Sequence, residues 1–405
     1  MKFISAVVLS SLFILVACEK ANLFTDEIID IQEETAHLYT YSSDVIPGSY
    51  VVVFKNDFID QEMSSRSVAD TYEGRVAAVR DVTEKVLEEN QVEKERITYA
   101  YGTAIKGFAA NLNDDQVESL RRDNRIKYIE QDQIITVSMG GPPGGGGGGD
   151  PTQSTPWGIT RVGGSADGTN AGTAWIIDSG IDMDHPDLNV DAGRSVSFLS
   201  GGGGNTEPED KNGHGTHVAG TVAAIDNGIG VVGVAAGATV VAVRVLDRRG
   251  SGSTSGVIAG VDYVGANASN GDAANMSLGG GYYGALNDAV IAASSACPFV
   301  LAAGNESTNA ETRSPASANG NNIYTISAMD SNDNWASFSN YGSPVDYCAP
   351  GVSVLSTYKD GGYATSNGTS MAAPHVCGIV LLGNVSSDGT VNGDPDGDPD
   401  PIAHR

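Results

Sequence analysis

The chain has 405 residues, more than one ordinary domain holds, and 40% of them are hydrophobic, enough for a substantial core. Its 50 acidic residues outnumber 23 basic ones, giving a formal net charge of -27 that argues against a nucleic-acid partner, whose phosphates it would repel. The 52 glycines point to tight turns or a linker.

Lys2 and the apolar run over 3–17 read as an export signal, too short for a comfortable membrane span. Leu15-Val16-Ala17-Cys18 resembles the lipobox of bacterial lipoproteins, in which the cysteine becomes the lipidated N-terminus; an ordinary signal peptide (1–17) with an incidental cysteine is the alternative. A precursor in the bacterial cell envelope is expected, tied to the membrane only through a lipid on Cys18. Beyond Cys18 the cysteines are Cys297, Cys348 and Cys377, an odd number that implies at least one free thiol in an exported protein.

Residues 18–43 read as a polar, flexible leader. In 49–55 the run SYVVVFK predicts a buried strand. Val76, Val79, Val82, Val86 and Leu87 have helical spacing within 72–90. Residues 98–112 predict a hairpin turning near Lys106-Gly107, Asn113 or Asp114 caps a helix to about Arg122, and 126–135 forms a last strand. The order β-α-β-β-α-β is the ferredoxin-like pattern of a small α+β domain over 44–138. Residues 139–155, with a six-glycine run at 144–149, read as a flexible linker.

From 156 to 383 short apolar runs (174–177, 240–246, 274–278, 299–303, 323–328) alternate with helical stretches (214–225, 255–268, 284–296, 369–382). That alternation predicts an α/β domain with a parallel sheet covered on both faces, where ligands bind at the carboxyl ends of strands. Residues 384–405 read as a short acidic tail, which leaves little chain to pack over the last helix.

Three segments put a reactive side chain where such a sheet exposes it. Asp178 ends a buried strand, where a carboxylate needs hydrogen-bond donors. His214 starts a helix in NGHGTHVAG, and Ser370 starts another in NGTSMAAPH, with Pro374 tolerable in its first turn. Singly each is weak, since an acid at a strand end is more often a cap; the order Asp, His, Ser matches one known triad arrangement.

Residues 156–383 resemble the subtilisin family of serine peptidases, most closely its proteinase K branch. The resemblance is carried by DSGIDMDHPDL at 178–188, NGHGTHVAGT at 212–221, GSGSTSGVIAGVDYV at 250–264, NMSLGGG at 275–281, AAGN at 302–305, SFSNYGS at 337–343 and GTSMAAPHV at 368–376. Residues 46–135 are similar to the family's inhibitory propeptide through PGSYVVVFK, GFAANL and YIEQD. The resemblance implies a three-layer parallel-sheet domain in which Ser370 is the nucleophile, His214 the base, Asp178 its orienting partner and Asn305 an oxyanion donor. It implies polypeptide substrates held by Ser251, Gly252 and Ser253 as an added strand and by Ser277, Leu278, Gly279 and Gly280. Room beside those glycines suggests broad specificity with apolar or aromatic side chains at P1, the residue before the cut; Glu306 either admits Lys or Arg or is a solvated acid. No catalytic cofactor is implied.

The propeptide is expected to inhibit the peptidase intramolecularly and to be cut away near Met139-Gly140, releasing a soluble, extracellular or periplasmic monomer. Structural calcium is expected at Asp346, and at Asp394, Asp396, Asp398 and Asp400 if their alternate spacing makes an oxygen-rich loop rather than a solvated tail. His217, His375 and His185 read as structural, since H-x-x-H without a following glutamate is no zinc-protease motif. Cys377 reads as a buried, inert thiol. The rival functions are a catalytically inactive binding protein of the same fold and a calcium-dependent surface protein; a serine esterase is disfavoured because G-x-S-x-G is missing.

Overall fold

Alternate residues of the strand Val45–Phe54 face two different cores. Val52 and Phe54 pack with Ile59, Val79, Val86 and Leu120 of the first domain, whereas Val51 and Val53 join the cluster holding Val257, Val261 and Val290 of the second. A strand covered on both faces needs apolar residues at every position, which is what VVVF supplies. The computed structural model describes residues 35–41, 43–137, 152–199 and 207–405. The export signal, Cys18, the glycine run and Met139-Gly140 lie outside the described residues.

The small domain is a sheet with strand order His37–Tyr39, Ile126–Thr136, Val45–Phe54, Gly107–Asn111 and Ile97–Tyr101. Thr71 caps the helix Tyr72–Glu89 by accepting the Gly74 N–H at 3.1 Å. Asn113, rather than Asp114, caps Asp114–Arg121 in a reciprocal box with Gln116. Two elements were not expected: the helix Asn56–Ser64, which buries only Ile59, and the strand His37–Tyr39. The latter pairs in parallel with Tyr128–Glu130, so the end of the leader is not flexible but adds an edge strand to the propeptide sheet.

The second domain is built on a sheet whose order runs Ser386–Thr390, Pro401–His404, Tyr347–Pro350, Ile323–Met329, Phe299–Ala302, Ala273–Met276, Ala174–Asp178, Thr239–Arg244 and Asn189–Val190. Every pair in it is parallel except Ser386–Thr390 with Pro401–His404. Trp175, Ile177 and Leu301 face the helices Thr254–Asn267 and Gly284–Ala293; Ile176, Val300 and Ile326 face His214–Ala223 and Thr369–Leu382. From Ala174–Asp178 the chain moves first to one neighbour, Thr239–Arg244, and then crosses to the other, Ala273–Met276. Strand order reverses there, so Asp178 ends its strand where an open α/β sheet forms its crevice.

The C-terminus corrects one expectation. Residues 384–405 are no free tail: Ile402 pairs with Cys348 and extends the sheet, and Ala403 packs in the cluster with Met371 and Val376 of the last helix. Within 384–405 the carboxylates cap their own turn, Asp394 accepting the N–H groups of Asp396 and Asp400, and Asp396 that of Asp398. Among the described residues no group of three or more His, Cys, Asp or Glu is disposed to hold an ion. Asp400 turns inward and accepts the Ser327 hydroxyl at 2.6 Å.

Burial, only partly offset by that hydroxyl and reinforced by the neighbouring acids, pushes Asp400 up to about 7. An unfolded aspartate ionises near pH ~4, so between about pH 4 and 7 the folded chain keeps a proton that the unfolded chain has lost. Stability from this group is full below pH ~4 and is lost as pH rises toward 7. Asp400→Asn keeps an acceptor for Ser327, and in the Ser370→Ala background it should raise Tm at pH 8 by roughly 2–4 °C with no gain at pH 4. A Tm at pH 8 that is unchanged or lower would refute this account.

Candidate active site

Asp178 is fully buried, and its carboxylate meets two donors: the Ser179 N–H at 2.7 Å and His214 Nδ1, which lies 2.8 Å from Oδ1 and 2.9 Å from Oδ2. The close approach of strand end to helix start depends on glycine. A Cβ on Gly215 would stand 2.0 Å from the Gly180 carbonyl, and one on Gly213, at φ +106°, would stand 2.3 Å from the Tyr358 ring. Asp210, which sequence reasoning missed, shapes the approach to the histidine. It accepts the N–H groups of Asn212, Gly213 and Thr216 and the Ser179 hydroxyl, and that hydroxyl in turn accepts the Gly215 N–H. An acid four residues before the histidine, followed by Asn-Gly, was the available signal.

Ser370 is the second residue of Thr369–Leu382. Its hydroxyl donates to the Ser277 carbonyl at 3.0 Å, while the Ser277 hydroxyl donates to the Ser370 carbonyl at 2.9 Å. His214 Nε2 is buried without a hydrogen-bond partner among the described residues, so serine and imidazole are not joined in this state. Asn305 is clamped by its carbonyl oxygen, which accepts the Thr369 N–H at 2.8 Å and the Thr369 hydroxyl at 3.0 Å. A Cβ placed on Gly368 would stand 3.6 Å from both Asn305 Nδ2 and Ser370 N, so two donors flank a space that only glycine leaves open.

The predicted substrate edges hold the chain's own propeptide. Thr136, Ile135 and Ile134 pair antiparallel with Ser251, Gly252 and Ser253. The Val137 N–H continues that edge to the Gly250 carbonyl at 2.9 Å, and on the other side the Thr136 N–H reaches the Gly279 carbonyl at 3.4 Å. Beyond Val137 opens a cavity lined by Ser277, Gly279, Gly304, Asn305, Glu306 and Ser370, among others.

Three carboxylates fasten the propeptide from both sides. Asp132 accepts the N–H and hydroxyl of Ser255, at 3.0 and 2.6 Å, where the helix Thr254–Asn267 begins. Glu130 accepts the N–H groups of Gly284 and Ala285, at 2.8 and 2.7 Å, where Gly284–Ala293 begins, and the Tyr41 hydroxyl besides. Helix N-termini expose unpaired N–H groups and partial positive charge, which a carboxylate satisfies. In the reverse direction Asp262 accepts Gly102, Thr103 and Ala104 at 3.0, 2.8 and 2.7 Å. Two acids two residues apart on one strand face the same side, and the sequence YIEQD carries that signal.

The remaining candidates sit elsewhere. His217 Nε2 lies 3.1 Å from the carbonyls of Val354 and Ala364, and burial lowers its pKa to about 3. Burial lowers that of His375 to about 4, with Nδ1 2.9 Å from the Met371 carbonyl. His185 Nε2 lies 3.0 Å from the Gly362 carbonyl. Cys297, Cys348 and Cys377 are buried free thiols; burial pushes Cys297 up to about 12 and the other two higher. Asp346 lies apart from the cleft and accepts the Thr325 N–H at 2.8 Å.

A parallel sheet with a buried Asp–His pair at its reversal point, and a helix-start serine beside two amide donors, defines the chain as a serine hydrolase built on a parallel sheet and carrying a docked inhibitory domain. The profile of the subtilase family matches residues 175–384, and that of peptidase inhibitor I9 matches 49–138. Alkaline serine exoprotease A of Vibrio alginolyticus is 43% identical over 71% of this chain and 53% of its own length, so the chain spans about half of that protein. Subtilisin-like protease 2 of Pseudogymnoascus destructans is 34% identical over 94% of this chain and 91% of that protein. The crystal structure of a cold adapted subtilisin-like serine proteinase, 43% identical, matches 56% of this chain and 83% of that one with a TM-score of 0.49. The chain belongs to the subtilase family of serine proteases and carries an I9 propeptide.

Asp262 offers a local test of how the propeptide is held. Its carboxylate serves three N–H groups, and Asp262→Asn replaces one acceptor oxygen by a donor. In the Ser370→Ala chain this change should speed amide hydrogen exchange at Gly102, Thr103 and Ala104 by about tenfold or more. Unchanged protection there would show that other contacts hold the loop.

Proposed function

We propose that the chain is an exported serine endopeptidase, made as a precursor that its own propeptide inhibits and that it cuts itself to mature. The observation that carries this reading is the propeptide strand paired between Ser251–Ser253 and Gly279, ending at Val137 beside Ser370. An inhibitor lying along the cleft as an added strand is already arranged as a substrate.

In the reaction the Ser370 hydroxyl leaves the Ser277 carbonyl and turns to His214 Nε2, which takes its proton as Oγ attacks the scissile carbonyl carbon. The Asp178 carboxylate, accepting from Nδ1, fixes the tautomer that leaves Nε2 free to receive the proton and stabilises the imidazolium. Negative charge on the carbonyl oxygen is met by Asn305 Nδ2 and the Ser370 N–H. The C–N bond breaks as His214 returns the proton to the amine, and water activated by the same imidazole then hydrolyses the acyl-enzyme. These steps run on the chain's own groups and water and need no cofactor.

Main-chain pairing reads little side-chain identity, which supports broad specificity with a preference for apolar or aromatic P1. The register supports self-cleavage a short way past Val137, in the neighbourhood of Met139-Gly140. A lipid on Cys18 would stay with the propeptide, so the cut would free a soluble, monomeric enzyme from the cell envelope. Expression of wild type and Ser370→Ala tests the whole scheme. Wild type should be shortened, soluble, active on casein and labelled at Ser370 by a serine-directed inhibitor. Ser370→Ala should remain full-length, membrane-bound and inactive, and equal size or equal partitioning of the two would reject self-processing.

We further propose that Asp346 binds structural calcium. Burial raises the cost of its carboxylate charge, which the Thr325 N–H at 2.8 Å offsets only in part, so an oxygen-seeking cation suits the position. EDTA should lower Tm, excess Ca²⁺ should restore it, and Asp346→Ala should abolish the response. A Tm indifferent to EDTA would discard the site.

A further inference from the structure

The cavity beyond Val137 has two charged residues in its lining, Glu306 and Arg313, and its other lining residues are neutral. Glu306 follows Asn305 directly. Arg313 comes from the short strand Arg313–Ser314, which runs antiparallel to Gly280–Gly281 with Arg313 opposite Gly281. One wall of the cleft therefore brings a cation to the same pocket as the acid. Arg313 Nε stands 3.5 Å from Glu306 Oε2 and, though buried, makes no hydrogen bond among the described residues.

Glu306 cannot easily leave this arrangement. Its Oε2 accepts Asn340 Nδ2 at 2.7 Å, and Asn340 is itself pinned, donating to the Ala303 carbonyl and accepting the N–H groups of Glu306 and Thr308. The carboxylate is thus held at the pocket by a buried amide, with the guanidinium as its only nearby cation in the lining.

We infer that Arg313 sets the charge preference of the primary pocket by cancelling Glu306, so that the enzyme favours uncharged P1 side chains and cuts poorly after Lys, Arg, Asp and Glu. This rests on the peptidase reading above and refines it. A lone carboxylate on the pocket wall attracts a P1 ammonium and repels a P1 carboxylate, an effect that solvent reduces because the Glu306 side chain is 46% exposed. A guanidinium 3.5 Å from that carboxylate turns a charge into a dipole, and an incoming cation or anion then meets attraction and repulsion at similar range. The contact is a single loose approach rather than a two-pronged fork. Its consequence is the pocket's neutrality more than its rigidity. Sequence suggests Glu306 as a receptor for Lys or Arg; the residue that disarms it lies seven positions further on and is brought back by the pairing with Gly281.

The test uses mature enzyme and three peptides identical except for Leu, Lys or Glu at P1, read as kcat/KM ratios within each protein. Ratios remove any change in the folded or active fraction. Wild type should prefer Leu. Arg313→Ala should raise the Lys-to-Leu ratio by about tenfold or more, and Glu306→Gln should raise the Glu-to-Leu ratio by a similar factor. If Arg313→Ala does not mature, Arg313→Gln, which removes the charge and keeps most of the volume, is read in its place. Failure of either ratio to rise, or a wild type that already prefers Lys, overturns the inference while leaving the peptidase reading intact. A wild type that cleaves none of the three peptides overturns both.

Discussion

The architecture of the cleft follows from one requirement, that a fully buried carboxylate at residue 178 be satisfied without a permanent cation. Burying an unpaired carboxylate is costly, and among the described residues no lysine or arginine pairs with this one. The donors are the Ser179 N–H and an imidazole nitrogen, so the start of the His214 helix must be drawn against the end of the Asp178 strand. That need accounts for glycine at 213 and 215, where any side chain would collide with the Tyr358 ring or the Gly180 carbonyl. It also accounts for Asp210, whose acceptances from Asn212, Gly213 and Thr216 bend the loop into place. Pairing Nδ1 with the buried carboxylate leaves Nε2 as the free nitrogen, and chemistry at Ser370 depends on that assignment.

Docking of the propeptide applies the same logic between domains. Helices Thr254–Asn267 and Gly284–Ala293 begin at the domain surface, and their first N–H groups need acceptors when the propeptide sheet covers them. Asp132 and Glu130 supply these from one face of one strand, and that strand then runs on into the cleft. The element that caps the helices is therefore the element that blocks the active site, so loosening the caps and clearing the cleft are mechanically linked. Residues 35–41 strengthen this arrangement from the far side. His37–Tyr39 pairs with the blocking strand, Tyr41 hydrogen-bonds to Glu130, and its ring stacks on Tyr283 at 5.9 Å between centroids.

The fold class was legible because both domains obey simple patterns. Unbroken apolar runs mark strands covered on two faces, and the helix Thr369–Leu382 is bounded by glycines at 368 and 383. What escaped has a physical reason in each case. Ser386–Thr390 is exposed along its whole length and carries no apolar alternation, so the hairpin's apolar signal is confined to Val391, Ile402 and Ala403, too few to make a period. The strand His37–Tyr39 is three residues long and owes its form to the edge it joins. Acids at every second position read as a cation loop or a solvated tail; the same spacing lets Asp394 and Asp396 each reach the N–H two residues on, a capping pattern that spacing alone does not announce. Arg313 was silent because nothing in a linear sequence announces an ion pair across a pocket.

The excess of acid over base becomes intelligible at this level. With 50 carboxylates and 23 basic side chains, most acids have no cation to pair with, and the buried ones are held by backbone and hydroxyl donors instead. Asp272 takes the N–H groups of Thr173 and Ser269 and the indole of Trp175; Asp187 takes Val231 and Asn227; Asp262, Asp210, Asp132 and Glu130 follow the same rule. Such bonds fix the carboxylate by oriented dipoles built into the chain, at the ends of strands and the starts of helices, without the side-chain entropy that a long lysine or arginine would lose. Acidic residues in this protein are thus the joints of its loops, and the reactive pair at 178 and 214 is one such joint in which an imidazole has taken the place of a backbone amide.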